Sequence, residues 1–339
     1  MMMDALQVHI YVSSWCDKGC PECYYPKDLG FMGPSTSGAV ILWLCNLLKT
    51  ENVKMLKVLF LGGEPLTKTG MILQMIDGIN FYKPELTKPH PDGEFLIFTN
   101  GDRLNPLILD EFKKRKVRVV LNPCHDPIEK IESKINLNKA YMGGCSLAIA
   151  LDEFNLARLP ELTELAIRQK SHIRTNRLYH GGVIPGYIEK YKESMTKMFR
   201  LLLLSDWVMW PNFIMESTYP TWEGPKNPNA CGRWLLIVDP DGGIRSCNAD
   251  METKIGSIYT HKKMADFEFS HRWSAKTLPE CQGCEWITWC QGGCPYTRKL
   301  TYGTYEKRSP FCEPFKELFP LLFELKSRWK SRSKMTCEM

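Results

Sequence analysis

No uncharged apolar stretch in the 339-residue sequence approaches the roughly 18 residues that a membrane-spanning helix needs, so no transmembrane segment and no membrane partner are expected. A secretory signal is missing too: "MMMDALQVHIYVSSW" has no cationic start, and its apolar run is short and interrupted. There is no internal repeat and no low-complexity segment, which leaves out repeat architectures. Neither sign of charge dominates, since 44 basic against 38 acidic residues leave a formal +6. The expectation is a cytoplasmic protein. Its 44% apolar and 24% charged content is ordinary for a globular chain, and its length allows a substantial core and two domains.

What the sequence does have is 14 cysteines. A reducing compartment disfavours structural disulfides, so a cysteine-rich chain of this size points to metal binding. Cys45, on the apparent helix "GAVILWLCNLL", Cys145 at the start of a strand and Cys337 in the tail read as scattered thiols. The others fall in patterned groups.

Strand-like apolar runs at 7–13, 56–61, 94–99, 117–122, 145–151 and 172–178 alternate with helical stretches at 37–49, 68–80, 105–115, 126–134, 152–169 and 187–204. Six strand–helix units in series imply a parallel α/β sheet, curled or partly open, with its site at the C-terminal strand ends. The Pro- and Gly-bearing "YPTWEGPKNPNACG" then breaks the alternation. The expected division is a barrel-like domain over 1–205, a linker over 206–230 and a cysteine-rich domain over 231–339. That last domain has little apolar core of its own, and metal sites would supply its stability. It ends in a helix that packs through Phe315, Phe319, Leu322 and Leu325. The helix finishes in basic residues, but no nucleic-acid partner is expected.

After the first strand comes "SSWCDKGCPECYY", which places Cys16, Cys20 and Cys23 as Cys-x3-Cys-x2-Cys. Zinc would want a fourth ligand, and the next cysteine, Cys45, sits within a helix. A [4Fe–4S] cluster held by three thiolates leaves one iron free of protein. Together with "FLGGEPL" at 60–66, the motif resembles the radical S-adenosylmethionine (SAM) superfamily. The resemblance implies a partial (β/α)6 TIM-like radical SAM barrel whose free iron is chelated by SAM. It places Gly62, Gly63, Glu64 and Pro65 beside the methionine amino group, where glycines allow close approach and a carboxylate suits an ammonium. "TNG" at 99–101 resembles the ribose-side segment, which puts Thr99 and Asn100 near SAM. Arg174 and Arg177, on the sixth strand, are expected near the SAM carboxylate or in a salt bridge. One departure is Glu22, where the family commonly has an aromatic residue near adenine; Tyr24 or Tyr25 is the expected substitute.

The C-terminal group reads Cys231-x15-Cys247, then Cys281-x2-Cys284-x5-Cys290-x3-Cys294, then Cys312. Taken locally, Cys281 to Cys294 also permits a zinc ribbon. The full set resembles a SPASM domain, the auxiliary-cluster module of peptide- and protein-modifying radical SAM maturases such as anaerobic sulfatase-maturating enzymes. The resemblance implies two auxiliary [4Fe–4S] clusters. Cys281, Cys284, Cys290 and Cys312 would ligate the distal one. Cys231, Cys247 and Cys294 would ligate the proximal one, leaving it an open or non-cysteine position. Ten thiolates and three cluster cores would lower the net charge by about four.

The implied activity is reductive cleavage of SAM to a 5′-deoxyadenosyl radical and oxidative modification of a peptide or protein side chain: a crosslink, a thioether or a dehydrogenation. The alternatives are oxidation or rearrangement of a small molecule, such as an amino sugar or cofactor precursor, and a non-enzymatic iron–sulfur electron carrier. Cys124, after the fourth strand, is the candidate for returning a hydrogen atom, with a buried structural thiol as the alternative. His125, Asp152 and Glu153 are candidate general bases. An electron donor such as flavodoxin or ferredoxin is an expected partner. Because the first strand begins near residue 7, no leader-binding domain is expected before it, and any leader recognition falls to a separate protein.

Overall fold

Runs such as "QVHIYVS" and "FLIFT" carry apolar residues at nearly every position, the pattern of a parallel strand covered on both faces. The computed structural model describes residues 5–23, 25–85, 87–89, 94–177, 183, 186–207, 235–267 and 278–337. The strand–helix series is β1 (Ala5–Ser13), α1 (Pro34–Thr50), β2 (Met55–Gly62), α2 (Thr69–Tyr82), β3 (Lys88–Pro89), β4 (Phe95–Thr99), α3 (Pro106–Lys114), β5 (Arg118–Leu121), α4 (Ile128–Met142), β6 (Ser146–Leu151), α5 (Glu153–Ala157), α6 (Leu159–Arg168), β7 (His172–Arg177) and α7 (Tyr187–Leu204). Beyond it lie β8 (Leu235–Val238), β9 (Gly243–Arg245), β10 (Gly256–Ser257), α8 (Ile287–Cys290), α9 (Pro295–Tyr302) and α10 (Cys312–Cys337). All six expected strands and their helices are present. The fold is α/β with a mostly parallel sheet.

The expected helix over 152–169 is two helices. Arg158 leaves helical geometry (φ −97°, ψ 7°) between α5 and α6. Pro160, in the first turn of α6, has no N–H to continue the ladder from α5. α4 in turn runs well past the expected 134, to Met142. Among the described residues no helix is long and apolar enough to cross a membrane.

The chain divides into two compact units. The first comprises Met1–Asn122, Asn136–Gly144 and Ala230–Arg272. Its strands run β10-β9-β8-β1-β2-β4-β5, with β3 also on β2. β1, β2, β4 and β5 are parallel, so the loops after Ser13, Gly62 and Thr99 leave the same end of the sheet. Val8, Ile10, Val58, Phe60 and Ile97 form the sheet's buried interior, and Val40, Leu44, Ile72 and Ile76 cover it from α1 and α2. β8 pairs in parallel with β1, from Gln7 opposite Leu235 to Ile10 opposite Val238. Thus residues 235–257, which composition groups with the cysteine-rich end, continue the same sheet. Arg245 anchors the β8–β9 hairpin: fully buried, it donates from Nε and Nη2 to the two carboxylate oxygens of Asp239 at 2.8 and 2.7 Å.

The second unit comprises Pro123–Ile135, Cys145–Asn229 and Trp273–Met339. Here β6 and β7 pair in parallel, and α7 and α10 pack together. Tyr191 of α7 stacks edge-on against Phe311, and Phe315, Phe319, Leu322 and Leu325 of α10 are buried, as their spacing predicts. Arg328 of α10 donates to the carbonyl oxygens of Leu203 and Ser205, satisfying the C-terminal end of α7.

Candidate functional site

The three-cysteine loop starts where β1 ends, at a register irregularity opposite Gly62. Two glycines let the turn after β2 lie directly on the stem of that loop. Gly62 has φ +153°, and a Cβ there would sit 2.3 Å from the Ser13 carbonyl oxygen. A Cβ on Gly63 would sit 2.4 Å from both the Ser14 and Trp15 oxygens. The contact is closed by two backbone bonds, Gly63 N–H to Ser13 O and Glu64 N–H to Trp15 O, each 2.7 Å. The close approach that the glycines permit is therefore to the protein's own cysteine loop.

Glu64 turns inward. It is fully buried, and its carboxylate accepts from Leu66 N (2.9 Å), Thr99 Oγ1 (2.7 Å) and Asn100 N (2.8 Å). Burial pushes its pKa up, and these three donors oppose the rise. One carboxylate thereby ties the end of β2 to the end of β4. The side chain of Asn100 continues the chain of contacts, donating from Nδ2 to Asp17 Oδ1 at 2.7 Å. Arg103 pairs with Asp17 at 3.2 Å and lies over Trp15, while Lys18 pairs with Asp102 at 2.7 Å. The cysteine loop is thus fastened on two sides, to the turn after β2 and to the turn after β4.

Its thiols are half-buried, and Cys16 and Cys23 receive N–H donors. Lys18 N and Lys27 Nζ each donate at 3.4 Å, to Cys16 and Cys23 respectively. Burial raises the Cys16 thiol, and the Lys18 amide and Lys27 charge pull it down. Three soft thiols, two of them with N–H donors on sulfur, suit an iron–sulfur cluster, whose negative charge and potential such bonds tune. Tyr25 stacks on Tyr11 with ring centres 4.4 Å apart and belongs to the core; Tyr24 lies outside the described residues.

In the second unit, Cys281, Cys284 and Cys312 form one electrostatic group. Burial raises Cys281, and Cys312 and Cys284 add to the rise. Burial also raises Cys312, against Arg308 and Lys316, and Arg308 Nη1 donates to its sulfur at 3.6 Å. The fully buried Arg298 lowers Cys281 in turn. Cys290 ends α8, followed by Gln291, Gly292 and Gly293, all at positive φ, and Cys294 precedes α9. A cysteine-rich group with the buried Arg298 beside Cys281 again matches an iron–sulfur donor set. Among the described residues no three His, Cys, Asp or Glu converge as on a single metal ion. Cys247 is buried after β9 in the first unit, and Cys231 lies outside the described residues.

Arg174 and Arg177 both lie on β7, with Arg174 opposite Ala148 of β6; the Arg177 side chain is outside the described set. Cys124 is half-buried at φ +52°, a strained conformation for a residue with a Cβ. His125 Nε2 meets Asp152 Oδ2 at 2.5 Å, a pairing across 27 positions that no sequence spacing signals. Glu153 instead pairs with Lys190 at the surface. Asp17 and Lys18, inside the Cys-x3-Cys spacer, are site residues that the motif alone did not mark.

No family model matches the sequence. A search of solved structures finds the enzyme anSMEcpe with bound AdoMet, with a TM-score of 0.76 and 17% identity over 96% of this chain and 99% of that one. The chain has the fold of anSMEcpe. Streptococcus suis SuiB, solved bound to its precursor peptide SuiA, has the same fold at a TM-score of 0.60 and 16% identity, covering 91% of this chain and 76% of that one. An uncharacterized protein of Archaeoglobus fulgidus is 20% identical over 92% of this chain and 79% of its own. In the fold shared with anSMEcpe, the cysteine loop, the glycine turn and the Thr99–Asn100 turn of this chain all follow parallel strands at one end of the first unit's sheet.

Proposed function

We propose that this chain is a radical SAM enzyme that oxidatively modifies a side chain of a peptide or protein. The carrying observation is the fastening of the three-cysteine loop by Gly62, Gly63 and Glu64, in a fold also found with AdoMet bound in anSMEcpe. Cys16, Cys20 and Cys23 hold a [4Fe–4S] cluster with one iron left for SAM. When bound, this pair supplies a 5′-deoxyadenosyl radical that abstracts a hydrogen atom from an unactivated C–H bond.

The chain's own residues then position and shield. Gly62 to Pro65 and Thr99–Asn100 set the walls of the SAM site, with Glu64 locking the two turns together from beneath. Arg174 and Arg177 are assigned to the SAM carboxylate. Asp17 and Lys18 keep the cysteine loop against the β4 turn. Cys281, Cys284, Cys290 and Cys312 hold the distal auxiliary cluster, with Arg298 and Arg308 offsetting its charge. Cys231, Cys247 and Cys294 hold the proximal one. Cys124 returns a hydrogen atom where the product needs it. The SuiB structure with its precursor peptide supports a peptide substrate, and a small flavodoxin or ferredoxin is the proposed reductant.

The test is anaerobic reconstitution, iron counting and incubation with SAM and a strong reductant. Three clusters correspond to about twelve irons per chain, and 5′-deoxyadenosine should accumulate. About eight irons would remove one auxiliary cluster, and an absence of 5′-deoxyadenosine would leave an iron–sulfur electron carrier.

A further inference from the structure

Within the first unit, the cysteine-bearing loops after β1 and after β9 are joined by one continuous set of contacts. At the first loop, Cys23 packs against a buried pair of rings, Tyr25 and Tyr11, with its Sγ 3.9 Å from the Tyr25 carbonyl oxygen. The two ring centres lie 4.4 Å apart with the planes inclined by 22°, so the faces overlap. Tyr11 is 1% exposed and Tyr25 3%, and Leu235 and Ile237 of β8 complete the cluster, which keeps the stack dry. Two contacts lead from Tyr11 toward Cys247. The Tyr11 hydroxyl donates to Asn248 Oδ1 at 3.3 Å. The Arg245 guanidinium lies 5.6 Å from the centre of the Tyr11 ring and donates from Nη1 to the Cys247 carbonyl oxygen at 3.0 Å. Asn248 is held in this orientation: His9 Nδ1 also donates to its Oδ1, at 2.9 Å, and Gln7 Nε2 donates to His9 Nε2 at 2.6 Å. Packing alone would be met by aliphatic side chains, as at Val8 and Ile10 of the same strand. Here a ring stack, a hydroxyl, an amide and a guanidinium span the distance between two cysteines instead.

We propose that this set of contacts is an electron path between the cluster held by Cys16, Cys20 and Cys23 and the auxiliary cluster held at Cys247. The inference rests on the radical reading above. Tunnelling weakens steeply with every gap crossed through space, and overlapping rings and hydrogen bonds shorten those gaps. The tyrosines are neither oxidised nor reduced; their orbitals only bridge the transfer. The balance is one electron. Cleavage of SAM oxidises the first cluster by one electron as the carbon–sulfur bond breaks and methionine leaves. The reduced cluster at Cys247 then gives one electron back and is itself oxidised. In oxidative turnover, the electron that a substrate surrenders to the auxiliary cluster re-arms SAM cleavage by the same path. An external flavodoxin or ferredoxin then primes the enzyme rather than feeding every cycle.

The test needs no substrate peptide. Reconstituted full-length enzyme is reduced with dithionite, desalted without oxygen and given SAM alone, and 5′-deoxyadenosine is counted per chain over time. The first cluster by itself supplies about one, so the wild type should pass that point and reach about two or more, a fast phase being followed by a slower one. Tyr11→Phe and Asn248→Ala each cut the hydroxyl contact and keep the ring stack. Both should retain about twelve irons and the first phase, with the second phase slowed about tenfold. Tyr11→Leu, which removes the stack as well, should slow it further. A wild type that stops at about one per chain, or variants whose second phase is undiminished, overturns the proposal. Loss of about four irons in Tyr11→Phe and Asn248→Ala also overturns it, because the contacts then serve only to hold the Cys247 loop. A wild type that forms no 5′-deoxyadenosine at all is a different outcome and sinks the radical reading itself.

Discussion

The cysteine loop after β1 and the cysteine group from 281 to 312 place the same side chain in opposite settings. The first loop is held by protein alone: glycine-to-backbone docking, one buried carboxylate and two ion pairs position it, and its thiols stay half-exposed. The second group sits among short helices and left-handed turns, with Cys281 and Cys294 buried. There burial raises Cys281 and Cys312, and Cys284 adds to both rises, so a bound cluster would have to displace thiol protons. A loop fastened in advance with an open face suits a site that must admit a small molecule. A group built from short helices and turns, with two of its five thiols buried, suits a site whose metal is part of the fold.

The largest effect that breaks this comparison is expected at Gly63. A Cβ placed 2.4 Å from two backbone oxygens cannot be absorbed by side-chain motion, so Gly63→Ala should displace the cysteine loop. About four of twelve irons should be lost and SAM cleavage should fall at least about 100-fold, read by iron assay and 5′-deoxyadenosine yield. Cys281→Ser should do the converse. It should remove about four irons and lower the melting temperature, as a metal-dependent fold requires, while SAM cleavage persists. Chelation of the wild type should destabilise residues 278–312 before residues 5–30, measured by hydrogen exchange.

A smaller effect is expected at Glu64. Glu64→Ala strands the Thr99 hydroxyl and the Asn100 amide, at a cost of about 2–3 kcal/mol in urea unfolding. Because burial holds the folded-state pKa of Glu64 above its unfolded value, the folded chain binds that proton more tightly. Its contribution to stability is fully present below the unfolded value and is lost as pH rises through the folded one. Stability should therefore rise on acidification through that window in wild type, and this component should vanish in Glu64→Gln. The smallest effect is Asp17→Ala, about 1 kcal/mol, because it breaks an ion pair to the half-exposed Arg103 and one hydrogen bond from Asn100 Nδ2.

Much of this could be read in the sequence because it is local. Strand runs buried on both faces, helix periodicity and cysteine spacing are short-range signals, and all six strand–helix units follow from them. What stayed hidden depends on chain segments far apart. The inward turn of Glu64 is set by Thr99 and Asn100, 35 and 36 positions away. The His125–Asp152 pair spans 27 positions, and the union of β8 with β1 brings Leu235 opposite Gln7. The division of the helix at Arg158 was within reach, since Pro160 marks it, but an unbroken apolar stripe through "FNLARLPELTEL" masks the stop.

The most direct test compares 5′-deoxyadenosine formation by the reconstituted wild type with that of a variant carrying alanine at Cys16, Cys20 and Cys23. The account predicts product from the wild type and none from the variant, which should still carry about eight irons. Cleavage undiminished in the variant, or absent from a fully loaded wild type, would contradict it.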